Sequence, residues 1–148
     1  MYDYTVVMVH PISVRFRDSA VPQRLKAEAD SRDLSASALA EELIDEGLRL
    51  RRHPAITFRD GATGRRAALV GGPDVWEVVA GLLGGDLGPD ERVQRAVDLF
   101  QLRRDQVDAA LAYYAEFTDE VDGRIAANAA AAEEAERLWE RQQQLLTK

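Results

Sequence analysis

Few residues of this 148-residue chain could carry covalent chemistry. It has no cysteine, which excludes disulfides, thiol nucleophiles and cysteine-ligated zinc. Its two histidines, His10 and His53, lie in no motif with a nucleophile. The many carboxylates lie in charge-rich helical segments, where solvation explains them, and no Gly-Lys-Ser or Gly-Lys-Thr phosphate loop is present. We therefore expect a protein that is not an enzyme and that needs no cofactor or metal ion.

Binding chemistry has a clearer candidate near the start of the chain. The segment ISVRFR, residues 12–17, alternates apolar and polar side chains, and a strand has a period of two residues. Ser13, Arg15 and Arg17 therefore face one way. The planar guanidinium of arginine can donate two hydrogen bonds, to O6 and N7 of guanine. The pattern indicates a strand that reads base edges in the major groove of DNA, and the alternative is an ordinary edge strand kept in solution by its arginines.

Two helices follow this strand and must position it. Asp18 and Ser19 are capping residues and Pro22 fits a first turn, so a helix is predicted over about 20–31. After a polar break, a second helix is predicted to about Arg52. Its apolar residues recur at helical spacing: Leu39, Ala40, Leu43, Ile44, Gly47 and Leu48. One strand and two helices of this length are too few to bury their apolar faces against one another, so a partner is required.

Three stretches of this region match a known pattern: the strand ISVRFR, the entry Ser35-Ala36-Ser37 to the second helix, and its ending EELIDEGLRLRR. Together they resemble the ribbon-helix-helix family of DNA-binding proteins. The resemblance implies a dimer whose two strands pair antiparallel into a ribbon that enters the major groove. It also implies DNA-binding roles for Ser13, Arg15 and Arg17 at base edges. Ser35 and Ser37 would lie where the amides of the second helix meet a phosphate.

The net charge of −7 is unevenly spread along the chain. Residues 1–72 hold 11 basic and 10 acidic side chains, whereas residues 73–148 hold 8 basic and 16 acidic ones. A near-neutral front and an acidic back are expected when the two ends bind different partners. Because DNA affinity depends on where positive charge lies, the acidic total does not exclude a basic binding face.

A β-hairpin is predicted in residues 53–72. Two short alternating runs flank residues 60–64, DGATG, a turn sequence rich in glycine. Arg59, Arg65 and Arg66 lie at or near the tip. They are candidates for additional DNA contacts through phosphate, and three solvated loop arginines are an equally good reading.

Three helices are predicted over residues 74–117. Asp74 is placed to cap the first, and a tight turn joins the second and third, as in a helix-turn-helix. The predicted inward residues are Val75, Val78, Val79 and Leu82; Val93, Ala96, Val97 and Phe100; and Val107, Leu111 and Tyr114. With the hairpin before them, these helices predict a small winged-helix-like domain.

Four blocks of this middle region follow one another in order: HPAITFRDG, GRRAAL, DVWEVV and LRRDQVDAALAYY. They resemble the small domain that recurs in VapB-type antitoxins, which implies that the chain is an antitoxin. One departure is Arg103, which stands where serine or threonine is expected to cap the third helix. The mixed charge on that helix favours packing or dimer contact over a second DNA-reading role.

Residues 118–148 predict one long helix rich in alanine, glutamate, arginine and glutamine. A thin apolar stripe follows it: Val121, Ile125, Ala129, Ala132, Ala135, Trp139 and Leu146. A lone helix of this length is marginally stable in water, so the stripe is expected in a partner's groove, against another subunit, or on the same chain. Acidic neighbours favour a basic partner such as an RNA-cutting toxin, with Trp139 as the anchor. The predicted partner-binding residues are Val121, Ile125, Arg137, Leu138, Trp139, Arg141 and Leu145.

These features predict a mainly α protein (α+β) in three parts: a ribbon-helix-helix domain over 1–52, a winged-helix-like domain over 53–117, and a partner-binding helix over 118–148. The predicted function is that of an antitoxin of a type II toxin–antitoxin system. Its homodimer, or a higher homo-oligomer, would bind operator DNA of its own operon, and its C-terminal region would neutralise a toxin, of the PIN ribonuclease type. The alternative is a stand-alone transcriptional regulator whose terminal helix only supports dimerisation. No signal-peptide pattern or membrane-length apolar run occurs, so we expect a cytoplasmic protein with no membrane partner.

Overall fold

The computed structural model of the chain describes residues 11–61 and 63–147. These residues form six helices and one antiparallel pair of strands, which confirms the predicted mainly helical class. The chain falls into two compact units that divide between Asp45 and Glu46. Predictions that concern residues 1–10, the start of the first predicted domain, lie outside the described residues.

The first unit contains helix α1, Ala20–Ser31, and the start of helix α2, Ala36–Arg52. Both helices lie where the sequence predicts them. The turn between them places Asp33 at a φ of 55°, a left-handed conformation that aspartate tolerates better than most residues. The Ser35 hydroxyl accepts a hydrogen bond from the Ala38 N–H at 3.1 Å, which satisfies one of the amides that a helix start leaves unpaired.

The segment at the start of the described chain, residues 11–16, forms neither helix nor strand, and its side chains are exposed. A strand exists only when another strand hydrogen-bonds to it. Within the described residues of a single chain, no strand pairs with this segment. The strand predicted over 12–17 is therefore absent from the single chain. Because the predicted ribbon forms between two copies, the strand stays a prediction for the dimer.

The second unit begins with the last turns of α2 and continues into the predicted hairpin. Strand β1, Ile56–Arg59, pairs antiparallel with strand β2, Arg66–Leu69. Arg59 and Arg66 are opposite each other where the strands meet the turn. The sequence prediction of a hairpin here is confirmed.

Four helices follow the hairpin: α3, Val75–Leu82; α4, Pro89–Phe100; α5, Arg104–Glu116; and α6, Thr118–Leu146. Helix α3 lies at the centre of the unit and packs against the three others and against β2. The residues buried in this core are Ile56, Ala67, Leu69, Val75, Val78, Val79, Leu82, Ala96, Leu102, Val107, Ala110, Tyr113 and Val121.

Three of these helices, α3, α4 and α5, begin with a backbone amide that donates to a side chain three residues later. The Asp74 N–H donates to the Glu77 carboxylate at 2.8 Å, and the Arg103 N–H donates to the Gln106 side-chain carbonyl at 3.0 Å. Gln106 thus supplies part of the capping that Arg103 itself does not.

The buried row of α5 differs from the predicted one. Val107 is fully buried as predicted, but the other fully buried residues are Ala110 and Tyr113, while Leu111 and Tyr114, which spacing placed inward, pack at the edge of the core. The reason is that α5 contacts the hairpin as well as α3, α4 and α6, so beyond Val107 the residues that face these elements lie one position before the predicted ones.

Helix α6 is anchored only at its start. Val121 is 3% exposed and Ile125 packs against the core, but every side chain from residue 126 to 147 is exposed. At 1.5 Å per residue, the exposed part is about 33 Å long. Across the described ranges of the chain, no helix combines the length and hydropathy needed to cross a bilayer.

Candidate functional site

The N-terminal arm of the described chain, residues 11–19, holds two basic side chains and one acidic one. Ser13, Arg15 and Arg17 are all exposed there. Residues 11–27 hold four basic side chains and one acidic one: Arg15, Arg17, Arg24, Lys26 and Asp18. No ion pair involves Arg15 or Arg17 within the described residues. The positive charge of these exposed side chains suits an anionic partner.

Ser35 and Ser37 lie at the beginning of α2. The Ser35 hydroxyl is used within the chain, as the acceptor for the Ala38 N–H, and Ser37 is exposed in the first turn. No acidic side chain occupies that turn. Since a helix N-terminus carries a partial positive charge, this end of α2 is electrostatically compatible with a phosphate.

An exposed apolar row continues along α2. Leu39 is buried, but Leu43, Ile44 and Leu48, which the spacing predicts on the same face, are exposed; Leu48 is 62% exposed. Exposed leucine and isoleucine at helical spacing mark a surface that another element covers. The row is consistent with the requirement for a partner deduced from the small size of this region.

The hairpin arginines Arg59 and Arg66 bind a common acidic residue. Asp74, whose side chain is 5% exposed, accepts hydrogen bonds from Arg59 Nε at 2.9 Å, from Arg66 Nε, and from Trp76 Nε1 at 3.2 Å. A nearly buried carboxylate needs such partners, because burial without them is costly. This Asp74 cluster ties both strands of the hairpin to the start of α3.

Replacing Asp74 by alanine is expected to lower the free energy of unfolding by about 3 kcal/mol, because two arginines lose their counter-charge beside the core. The matched control is Asp105→Ala, which removes an exposed ion pair with Arg103 and is expected to change stability far less. Chemical denaturation followed by circular dichroism measures both. Equal effects of the two substitutions would show that the cluster does not stabilise the fold.

Arg65, the third hairpin arginine, binds the end of α2. It donates to Glu46 from Nε and from Nη2, the latter at 2.9 Å, and to Asp60 at 3.2 Å. The hydrogen bonds to Glu46 raise the pKa of Arg65 above its ordinary value, although burial opposes this. All three hairpin arginines thus have carboxylate partners inside the chain, and their predicted contact with DNA phosphate stays a prediction.

A second polar cluster, centred on Arg49, was not predicted from the sequence. Arg49 donates from Nη1 to Tyr113 Oη at 2.8 Å and to Glu120, while Tyr113 donates to the other Glu120 oxygen at 2.9 Å. The guanidinium carbon lies 4.1 Å from the centre of the Phe117 ring. Burial opposes the charge of Arg49, but its hydrogen bonds to Glu120 and Tyr113 raise its pKa; burial also raises the pKa of Tyr113.

Arg49 lies in the basic sequence LRLRR, in which nothing distinguishes one arginine from the next. The cluster joins residues more than sixty positions apart, so spacing could not reveal it. Nearby, His53 Nε2 lies 2.9 Å from the Glu116 carboxylate, which also pairs with Arg52 at 3.3 Å. These contacts hold the last turns of α2 to the α5–α6 junction.

The first turns of α6 are held by further polar contacts. Arg124 donates to the backbone carbonyl of Thr63 at 2.7 Å and to that of Arg65, so it clamps the turn of the hairpin. Tyr114 donates to Asp122 at 2.8 Å. Together with buried Val121, these contacts make the start of α6 part of the folded unit.

The predicted partner-binding residues of α6 divide into two groups. Val121 is buried in this chain's own core and Ile125 is partly buried against it, so their predicted partner contacts stay a prediction. The structure exposes the other five: Arg137, Leu138, Trp139, Arg141 and Leu145. Trp139 is 60% exposed, a large apolar side chain with nothing covering it in the described chain.

Among the described residues, no group of three or more histidine, aspartate or glutamate side chains is arranged to hold a metal ion. No protein-family model, curated protein or solved structure matches this chain. The features from which a function can be inferred are therefore the exposed arm, the exposed row of α2 and the exposed part of α6.

Proposed function

We propose that this protein is a non-enzymatic antitoxin of a type II toxin–antitoxin system, which binds the operator DNA of its own operon as a dimer and neutralises a toxin through its C-terminal helix. The observation that carries the proposal is the exposure of both terminal segments. The basic arm, residues 11–19, and residues 126–147, which are the exposed part of α6 and the residue after it, have no buried side chain, whereas a buried core lies between them.

The DNA-binding half is proposed to be a ribbon-helix-helix domain. Its support is the order of an alternating arm and two helices, α1 and α2, at the expected lengths. In the dimer, the arms of two copies would pair, with Ile12, Val14 and Phe16 turned inward onto the exposed row of α2. Pairing would satisfy the unpaired backbone groups of both arms and cover apolar side chains that water now surrounds. Arg15 and Arg17 would then project into the major groove.

The middle of the chain is proposed to be a winged-helix-like domain that serves packing. Its support is a hairpin followed by three helices around one core. Its exposed arginines are already paired, Arg103 with Asp105 and Arg104 with Asp90. A surface of alternating charge is a poor match for a DNA backbone, which favours packing over DNA reading.

The toxin-binding half is proposed to be the exposed part of α6. A helix this long, with uncovered leucines and a tryptophan, is stabilised chiefly by packing its apolar face on something else. Its net negative charge suits a basic surface, and a ribonuclease needs such a surface to bind RNA phosphates.

The test of the proposal is expression of this protein with the product of the gene next to its own. The neighbouring product alone is expected to arrest growth, and co-expression is expected to restore it and to yield a complex that co-purifies. The complex is expected to shift DNA from the shared promoter. If the neighbouring product is harmless and does not bind, while this protein alone still shifts the promoter DNA, the protein is a stand-alone regulator instead.

A further inference from the structure

Helix α2 contains a glycine, Gly47, that nothing in the single chain requires. Glycine is among the least favourable residues in a helix interior. Gly81 of α3 has an evident reason, because a Cβ added there would lie 2.8 Å from the Phe100 ring. A Cβ added at Gly47 would meet no atom within 4 Å, and the φ of Gly47 is not positive. Neither close packing nor backbone conformation within the described chain therefore explains this glycine.

Gly47 lies at the centre of an almost uncharged face of α2. At about 100° per residue, the residues within about 60° of it are Ala36, Ala40, Leu43, Ile44, Leu50 and Arg51. Leu43 and Leu50, which flank the glycine, are both exposed. The face is thus apolar, with a shallow place at its centre where the backbone of another helix can come close.

The opposite side of the last turns of α2 is already bound within the chain. Glu46 accepts hydrogen bonds from Arg65, and Arg49 donates to Glu120. Glu46 and Arg49 lie about 100° and 160° around the helix from Gly47. The Gly47 face therefore points away from the elements that hold these turns, and it is open to another molecule.

The charges of α2 change sign at the glycine. Every acidic residue of the helix precedes Gly47, and every arginine follows it: Glu41, Glu42, Asp45 and Glu46, then Arg49, Arg51 and Arg52. The helix dipole does not account for the acidic half, because the first turn of α2 holds no acidic residue. If two copies cross antiparallel at Gly47, two-fold symmetry sets each acidic half beside the basic half of the other copy. A parallel pairing would set like charges together, so the charge pattern selects an antiparallel second copy.

An antiparallel crossing at Gly47 also sets a register. Residues that precede and follow the glycine by similar numbers of positions oppose each other, so Leu43 faces Leu50 of the second copy. Glu41 and Arg51 of the second copy come together on one side of the crossing. Both side chains are exposed, and neither forms an ion pair in the part of the chain that the structure describes.

We propose that two copies of this chain pair through an antiparallel crossing of their α2 helices at Gly47, with Leu43 packed against Leu50 and Glu41 paired with Arg51 of the other copy. This rests on the proposed function for the existence of a dimer and adds the surface that forms it. Because glycine has no side chain, the helix axes approach more closely than the usual distance of about 8–10 Å. Leu48, farther around the helix, stays open to the paired arms.

The test is sedimentation equilibrium of the full-length protein without DNA. Gly47→Leu is expected to raise the dissociation constant of the dimer at least tenfold, because the new side chain occupies the crossing point. The sign of the change is diagnostic, since an added leucine would strengthen association through an apolar surface that has no close crossing. The matched control is Gly123→Leu in α6, where a Cβ also meets open space, and it is expected to change the constant less than twofold.

Charge exchange tests the pair between Glu41 and Arg51. Glu41→Arg and Arg51→Glu are each expected to weaken the dimer at least fivefold at low salt, because each places like charges together at two symmetric positions. The double variant is expected to return to within twofold of the wild type. Glu41→Arg combined with Arg141→Glu restores the total charge without the pair, so it is expected to stay weakened.

Two results would overturn the crossing and leave the dimeric antitoxin standing: unchanged or tighter association in Gly47→Leu, or a double variant no stronger than the single reversals. Circular dichroism spectra equal to that of the wild type are expected for all variants and show that they fold. A monomeric wild type would also overturn the crossing, whereas the growth assay with the neighbouring gene product tests the antitoxin function separately.

Discussion

Replacement of Arg15 and Arg17 by alanine is expected to abolish specific binding to the operator while leaving the dimer intact. Each arginine that bonds a guanine bidentately contributes about 1–3 kcal/mol of discrimination, and a dimer presents four of them. The combined loss is therefore of order 4 kcal/mol or more, about a thousandfold in affinity. A mobility-shift titration with the promoter fragment and with an unrelated fragment of equal length measures it.

The matched control for this prediction is Arg103→Ala with Arg104→Ala. These two arginines are also exposed, and their removal changes the total charge by the same amount. If Arg15 and Arg17 contact operator bases directly, the control variant is expected to retain operator binding and the arm variant to lose it. Equal losses of operator affinity in the two variants would mean that total charge, and not the arm, governs DNA binding, and the ribbon assignment would be wrong.

Truncation of the chain after Ala130 is expected to abolish toxin neutralisation and to leave operator binding and folding unchanged. The described residues removed, 131–147, all have exposed side chains. The retained part keeps buried Val121 and one turn beyond Ile125. The thermal unfolding midpoint is therefore expected to stay within about 2 °C of that of the full chain, since surface changes cost less than about 0.5 kcal/mol. Growth rescue, mobility shift and thermal denaturation are measured on the same variant.

A shorter chain ending at Phe117 makes the comparison informative. It also lacks Val121, the Glu120 carboxylate that pairs with Arg49, and Arg124, which clamps the hairpin turn. This variant is expected to unfold at a lower temperature, so its loss of neutralisation would not identify the binding element. Neutralisation by the chain that ends at Ala130 would contradict the assignment of the toxin-binding role to the exposed part of α6.

The location of the elements follows from local chemistry. Capping residues and a helix-compatible proline predict α1 within the bounds observed, and the glycine-rich turn DGATG predicts the hairpin. Composition predicts a helix over residues 118–148, and it is observed over Thr118–Leu146. Such signals act between residues a few positions apart, so they are readable without knowledge of the tertiary fold.

The ion pairs of the hairpin arginines could not be predicted from such local signals in the sequence. Arg59, Arg65 and Arg66 look like solvated or phosphate-binding arginines in the sequence, but all three bind carboxylates of the chain. Their partners include Asp74, which in sequence is simply a helix cap. An ion pair between distant residues leaves no periodic trace, because it depends on how elements pack and not on the spacing within one element.

Sequence alone determined the helical class, the hairpin, the basic arm and the amphipathic terminal helix, because each depends on periodicity, capping or composition within a short stretch. Only the tertiary structure decided which part of α6 packs against the core. Val121 and Ile125 lie on the same predicted stripe as Trp139, but of these three residues only Val121 and Ile125 contact the core. The tertiary structure likewise decided that Arg49 and Tyr113 meet Glu120, since three separate helices bring these groups together. Burial is a property of the assembled elements, and a residue's pattern within one helix states only which side it lies on.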